Sequence, residues 1–157
     1  MPPLNPVLLR LRPPMPDDRE FLWRLHRETM RVYVDRTWGW NDDWQRKRFD
    51  ENFDAAPLTM IEYGTLTIGY ICLHRPGHEI FLASIEIAPE FQNQGIGTRL
   101  IRDVLDESDR LRLAVRLSVL KVNPARRLYE RLGFQCSGET STHFVMVRQA
   151  RIESPQG

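Results

Sequence analysis

Ser84-Ile85-Glu86-Ile87-Ala88-Pro89-Glu90-Phe91-Gln92-Asn93-Gln94-Gly95-Ile96-Gly97 decides how this chain is read. The apolar, β-branched run over 80–88 predicts a strand that Pro89 stops. Beyond the turn, Ile96, Leu100, Ile101, Val104 and Leu105 share one face at helical spacing, so a helix follows. The first N–H groups of a helix lack partners, and the macrodipole adds partial positive charge there. Glycine lets an anion approach that backbone without meeting a Cβ. Residues 92–98 therefore predict a phosphate cradle, set against a tight turn that binds nothing. A P-loop needs Lys and then Ser or Thr after its last glycine, whereas Thr98-Arg99 follow Gly97. A dinucleotide fingerprint needs a third glycine where Leu100 stands.

The flanking sequence builds outward from this turn. Residues 7–11 read as a strand stopped by Pro13-Pro14. Asp17 as N-cap, with Glu20 in the capping-box position, predicts a helix over 17–35. Its apolar face carries Phe21, Leu22, Leu25, Thr29, Val32 and Tyr33. Trp38-Gly39-Trp40 breaks this helix, and Asn41 caps a shorter one bearing Trp44, Phe49 and Phe53. Strands over 58–63 and 66–71 form a hairpin about Gly64-Thr65, and Pro76-Gly77 turns into the strand over 80–88. A further strand spans 111–122. Asn123-Pro124 opens a short helix over 125–132 that Gly133 ends. Strands over 134–137 and 144–147 precede a polar tail, 149–157, expected to fray. The order β-α-α-β-β-β-α-β-α-β-β is an α/β arrangement: a mixed sheet with helices on its faces, not a doubly wound alternation.

Composition bounds the function. The 157 residues suit one domain, 1–157, with its core over 7–148. A net charge of +1 offers no overall field for nucleic acid or an anionic membrane, and neither partner is expected. With 41% hydrophobic residues the chain is not of the disordered class. Apolar runs fall well short of the roughly 20 residues that span a bilayer. No secretory signal precedes Asn5-Pro6, so a cytoplasmic location is expected. Cys72 and Cys136 lack metal-ligand spacing and read as two buried thiols, with no metal expected. Of the 22 basic residues only Lys47 and Lys121 are lysine, leaving 20 arginines.

Gln-x-x-Gly-x-Gly after a strand ending in Pro-Glu resembles motif A of the GNAT superfamily, the acyl-CoA-dependent N-acetyltransferases. About 30 residues on, Asn123-Pro124-Ala125-Arg126-Arg127-Leu128-Tyr129-Glu130-Arg131-Leu132-Gly133-Phe134 resembles that family's second signature. The resemblance covers roughly residues 7–148. It implies a mostly antiparallel mixed sheet of about seven strands with about four helices, splayed between the fourth and fifth strands. It also implies acetyl-CoA as co-substrate, its pyrophosphate on backbone N–H groups of Gln92, Asn93, Gln94, Gly95, Ile96, Gly97 and Thr98. Family members often carry Arg-Gly or Gly-Lys at the centre of this turn. Asn93-Gln94 is neutral here, so the backbone must do the binding. The pantetheine arm is implied to run along Ile87 and Ala88, with Asn123 and Arg126 on the cofactor side. Tyr129 stands at the general-acid position, beside a departing thiolate whose conjugate acid has a pKa near 8.5. Its alternative is an aromatic packed on the short helix. Glu86 is the carboxylate placed to serve as base or substrate anchor, against a solvent-facing or Arg-paired side chain. Glu79 is a weaker candidate.

The acceptor side of this family is built by the first two helices, their connection and the last hairpin. Between 33 and 54 lie three tryptophans and six carboxylates (Asp35, Asp42, Asp43, Asp50, Glu51 and Asp54). Aromatic faces and carboxylates suit an amine. Tyr33, Trp38, Trp40 and His143 are the expected acceptor contacts. Trp38 and Trp40 read equally well as core, and Trp44 reads as core. His26 and Glu28 can reach the same region, and neither is assigned a catalytic role. The leading reading is an N-acetyltransferase acting by direct attack on a small-molecule or amino-acid amine. A protein N-terminus or lysine is the alternative acceptor. A non-catalytic CoA sensor is the rival of another class. Family members are often dimers, which admits a homodimer.

Overall fold

The computed structural model describes residues 4–152; residues 1–3 and 153–157, with the end of the expected tail, lie outside it. A 3-10 turn at Pro6–Leu8 leads into β1 (Leu9–Arg12), followed by α1 (Asp18–Trp38) and α2 (Asp42–Ala55). Next come β2 (Leu58–Tyr63), β3 (Leu66–His74) and β4 (Glu79–Ile87), then a 3-10 turn at Pro89–Phe91. The chain continues through α3 (Ile96–Leu111), β5 (Ala114–Leu120), α4 (Arg126–Arg131), β6 (Gln135–Glu139) and β7 (His143–Arg148). The sheet order is β1-β2-β3-β4-β5-β7-β6. β4 and β5 pair in parallel from Glu79 opposite Ala114 to Leu82 opposite Leu117, while β1–β2, β2–β3, β5–β7 and β6–β7 pair antiparallel. This is the mixed α/β fold the motifs imply. No helix among the described residues is long and apolar enough to cross a membrane.

The chain divides into two compact units, and β4 lends its first part to one and its second part to the other. The first unit comprises Met1–Leu73 and Ser84–Gly97. Its core joins Leu22 and Leu25 of α1 to Met60, Tyr70 and Cys72 of the β2–β3 hairpin, with Phe49 and Phe53 of α2 packed against them. α1 stops at Gly39, whose φ of 83° suits glycine and whose N–H donates to the Asp35 carbonyl. α2 starts where the Asn41 side chain accepts the Trp44 N–H at 2.9 Å. In the hairpin, Ile61 pairs with Gly69 but Glu62 pairs with Thr67, so Ile68 bulges from β3. The Ile68 carbonyl takes the Ala88 N–H at 2.7 Å. A Cβ at Gly69 would collide with the Glu86 carbonyl, so glycine is what lets these backbones approach.

The second unit comprises His74–Ala83 and Thr98–Gly157. Leu100, Ile101, Val104 and Leu105, the expected face of α3, are all buried. The buried Arg148 of β7 reaches Ser108 at 3.3 Å and also bonds Asp109, tying α3 to the sheet. Asp109 accepts the Arg151 N–H at 2.7 Å, so the start of the tail is held. Arg116 of β5 bonds Glu79 of β4 and lies 4.6 Å over the Phe81 ring.

Several expectations are corrected. Asp17 makes no side-chain cap; Asp18 instead accepts the Met15 N–H at 2.7 Å and receives both arms of Arg12. The guanidinium selects the carboxylate it can reach, one residue further on. Glu20 pairs with Arg46 rather than closing a capping box. Residues 6–8 curl into a 3-10 turn because Pro6 presets φ and Asn5 accepts the Val7 N–H at 3.1 Å. Leu111 extends α3, and Arg112 at φ 57° ends it, so β5 begins at Ala114 rather than 111. Val32 is exposed, while Val34 and Trp23, about three turns apart on one face, are buried, so α1 buries a second stripe beside that of Leu22 and Leu25. Trp44 is 56% exposed, its ring covered by Arg48 rather than core. Cys136 is exposed on β6, the edge strand, and only Cys72 is buried.

Candidate active site

In the first unit, strand alternation turns Glu86 inward although it is a carboxylate. It is 5% exposed, and its Oε1 lies 3.0 Å from Nδ1 of His26 on α1. The other ring nitrogen of His26 faces Gln45 Oε1 of α2 at 3.5 Å. Glu86 Oε2 is buried and has no hydrogen-bond partner. A buried carboxylate oxygen without a donor is costly, so it marks a place where a ligand N–H would be stabilising. Burial would lower the His26 pKa, but the hydrogen bond and charge of Glu86 outweigh it and the net shift is upward. Tyr70 of β3 lies near the same carboxylate. Burial, reinforced by the Glu86 charge, holds its phenol well above the ordinary range. Sequence reasoning singled out Glu86 but gave no role to His26, Gln45 or Tyr70. Their convergence is tertiary, with His26 and Glu86 separated by 60 positions.

The glycine turn has the geometry of an anion cradle. Asn93 at φ 61° and Gly95 at φ 85° lie on either side of Gln94, just before α3. Alternating backbone handedness of this kind builds N–H concavities. The Gln92 side chain donates to the Ile87 carbonyl and that of Gln94 to the Glu90 carbonyl, both at 2.8 Å. These amides brace the turn, and the Gln92 main-chain N–H is itself committed to the Pro89 carbonyl at 3.2 Å. Of the backbone groups expected to meet pantetheine, the Ile87 carbonyl accepts the Gln92 side chain. The Ala88 N–H is already committed to Ile68. A Cβ at Gly97 would meet only Ile87 Cδ1, at 3.6 Å. Thr98 opens the second unit's part of α3.

In the second unit, Asn123 Oδ1 accepts the Ala125 N–H at 2.9 Å, a local turn ahead of α4; the helix itself starts one residue later than expected, with Ala125 as its N-cap and no side-chain cap. Arg126 bonds Glu130 at 2.6 Å and lies 4.1 Å over the Phe144 ring. Tyr129 is buried edge-on to Phe134, their centroids 5.8 Å apart. Burial pushes its phenol up to about 12, so it carries its proton at neutral pH. His143 starts β7, with Nδ1 2.8 Å from Thr142 Oγ1. Glu79 is held below the usual carboxylate range by Arg116 and acts as that residue's ion-pair partner.

The aromatic and acidic segment of the first unit is largely engaged by the chain's own cations. Trp40 stacks on Trp23 at 6.2 Å, Arg31 lies 5.7 Å over the Trp40 ring, and Arg46 lies 5.4 Å over Trp23. Asp35 accepts the Trp40 N–H, while Asp50 and Asp54 bond Arg19. Tyr33 is half-buried, and Trp38 is 59% exposed.

The family model described as Acetyltransferase (GNAT) family matches residues 19–134, more than half of the chain. The chain belongs to the GNAT acetyltransferase family. It is similar to the PaiA N-acetyltransferase of Thermoplasma acidophilum, solved with coenzyme A, at 16% identity and TM-score 0.72, covering 90% of this chain and 98% of that one. A spermidine N-acetyltransferase from Vibrio cholerae, solved with CoA and spermine, matches at 25% identity and TM-score 0.65, covering 91% and 96%. The ribosomal-protein-S18-alanine N-acetyltransferase of Escherichia coli matches at 18% identity and TM-score 0.62, covering 94% and 97%. No curated protein matches the chain. This GNAT chain is thus an acyltransferase by family. Its relatives' acceptors include a polyamine in one case and a ribosomal protein in another.

Proposed function

We propose that this GNAT chain transfers an acetyl group from acetyl-CoA to a primary amine by direct attack in a ternary complex. The acceptor is a small molecule or amino-acid derivative, and the setting is cytoplasmic. One observation carries the reading toward an amine: a buried carboxylate, Glu86, with one oxygen held by His26 and the other lacking a donor. An ammonium or amine N–H supplies that donor, and a carboxylate there can take its proton before attack. Acetyl-CoA would supply the activated thioester carbonyl. The cradle formed by Gln92, Asn93, Gln94, Gly95, Ile96, Gly97 and Thr98 would hold its diphosphate, with Asn93 and Gly95 giving the required positive φ. Ile87, Ala88, Asn123 and Arg126 are proposed along the rest of the cofactor, where the resemblance implies a splay between β4 and β5. Tyr129 is proposed as general acid from its place in the second signature; its phenol is protonated through the neutral range. Tyr33, Trp38, Trp40 and His143 are proposed as acceptor contacts. The family match takes in segments of both units, which supports treating them as one acetyltransferase domain.

The test is thiol release from acetyl-CoA across a panel of polyamines, amino acids and N-terminal or lysine peptides. Wild type is expected to turn over a small amine, with Tyr129→Phe slower by about 100-fold or more in kcat. Unchanged turnover in Tyr129→Phe would remove the general acid. Acetyl-CoA binding without thiol release for any amine would leave a CoA sensor instead.

A further inference from the structure

Three elements converge on one carboxylate: β4 carries Glu86, α1 carries His26 and α2 carries Gln45. The two nitrogens of the His26 ring face two oxygens, Glu86 Oε1 at 3.0 Å and Gln45 Oε1 at 3.5 Å. Two acceptors on opposite sides of an imidazole favour the doubly protonated ring. The ring cannot easily turn away. Trp23, Trp40 and Phe49 hold it at centroid distances of 6.2, 6.0 and 6.2 Å.

Of the other groups packed about this pair, the Tyr70 phenol interacts with Glu86 directly, by charge and through its hydroxyl, so the cluster has three members. On β3, the Tyr70 phenol and the Cys72 thiol are both shifted up by burial and stay neutral. On α2, Arg46 lies over the Phe49 ring but spends its hydrogen bonds on Glu20 and Asp50. Arg31 of α1 lies over Trp40. Among the described residues, His26 is the one side chain able to carry positive charge that hydrogen-bonds Glu86.

We propose that His26, steadied by Gln45, is the positioning residue of this site: it occupies Glu86 Oε1 and thereby reserves Oε2 for the acceptor amine. The inference rests on the reading that Glu86 serves the acceptor. In the step it supports, an N–H bond of the ammonium breaks and an O–H bond forms at Oε2. The nitrogen keeps the electron pair with which it attacks, and the charge balances, since ammonium and carboxylate become amine and carboxylic acid. A carboxylate beside a neutral imidazole attracts a proton more strongly than one beside an imidazolium. Turnover should therefore rise as pH rises through the His26 titration.

The experiment has two readouts on the full chain. The first is an NMR titration of the His26 ring from pH 5 to 9 without substrate, in wild type and in Glu86→Gln. The expected midpoint lies above the ordinary 6.5 in wild type and drops in the variant. The second is the pH profile of kcat in wild type, His26→Gln and His26→Ala. His26→Ala should lose about 100-fold in kcat with little change in KM. His26→Gln, which still donates an N–H but cannot titrate, should recover at least about tenfold of that loss and lack the pH limb. Identical His26 titrations in wild type and Glu86→Gln overturn the proposal, as does an unchanged limb in His26→Gln. Failure of wild type to acetylate any amine would overturn the proposed function separately, and the titration still decides the pair.

Discussion

A Cβ at Gly69 would run into the carbonyl of Glu86, which is backbone and cannot rotate aside. Gly69→Ala must push β3 away from β4 at the carboxylate the site depends on. It is expected to cost about 3 kcal/mol or more, read from the urea midpoint. Gly97 makes the opposite case with the same substitution. Its Cβ would find only Ile87 Cδ1 at 3.6 Å, an ordinary contact, and alanine is the better helix former. Gly97→Ala should leave the ligand-free protein as stable as wild type or slightly more so. What it should lose is room for the cofactor. At a ligand concentration 100 times the dissociation constant, wild type should gain about 2.7 kcal/mol from acetyl-CoA. A thermal shift of equal size in Gly97→Ala would remove the cradle assignment.

The helix ends show which sequence signals survive folding. Asn41 accepts the Trp44 N–H as its position before an acidic first turn predicts, so Asn41→Ala should cost about 1 kcal/mol. Equilibrium unfolding measures that cost, and restoration by Asn41→Ser or Asn41→Asp would separate capping from a nonspecific effect. Gly39 and Gly133 are legible for the same reason: each acts on backbone groups within a few residues of itself. Elements failed to read where a distant partner chose. Asp18 rather than Asp17 is engaged because Arg12 of β1 reaches it, and nothing local separates the two aspartates. Trp44, on an apparently apolar helix stripe, faces outward under Arg48, a contact that composition does not announce. The candidate site divides along the same line. The glycine turn and Tyr129 lie in contiguous motifs, whereas the His26–Glu86 pair spans 60 positions and needs α1 seated on the sheet.

Across the molecule, near-neutrality conceals pairing. The many arginines serve as two-handed partners: Arg12 takes Asp18 and Glu62, Arg19 takes Asp50 and Asp54, and Arg46 takes Glu20 and Asp50. A planar guanidinium suits that task better than an ammonium, which gives the arginine excess a structural reason. The same pairing sets the response to pH. The hydrogen bonds from Arg12 hold the Asp18 carboxyl below its ordinary 3.8, against the opposing effect of burial. A carboxylate depressed in the folded state stabilises above its unfolded pKa, and the contribution fades as pH falls through the folded value. His26, raised above 6.5, runs the other way: its contribution is complete below that value and fades as pH rises through the folded one. Stability should thus decline on both sides, through different residues. Asp18→Asn tests the acid side alone. At pH 7 it should cost about 2–3 kcal/mol, because a hydrogen bond between charged groups becomes a weaker one. Below pH 4 its urea midpoint should approach that of wild type, while the decline above pH 6.5 keeps its wild-type slope. An Asp18→Asn deficit that stays constant from pH 7 to pH 2 would mean the carboxylate contributes by shape, not by charge.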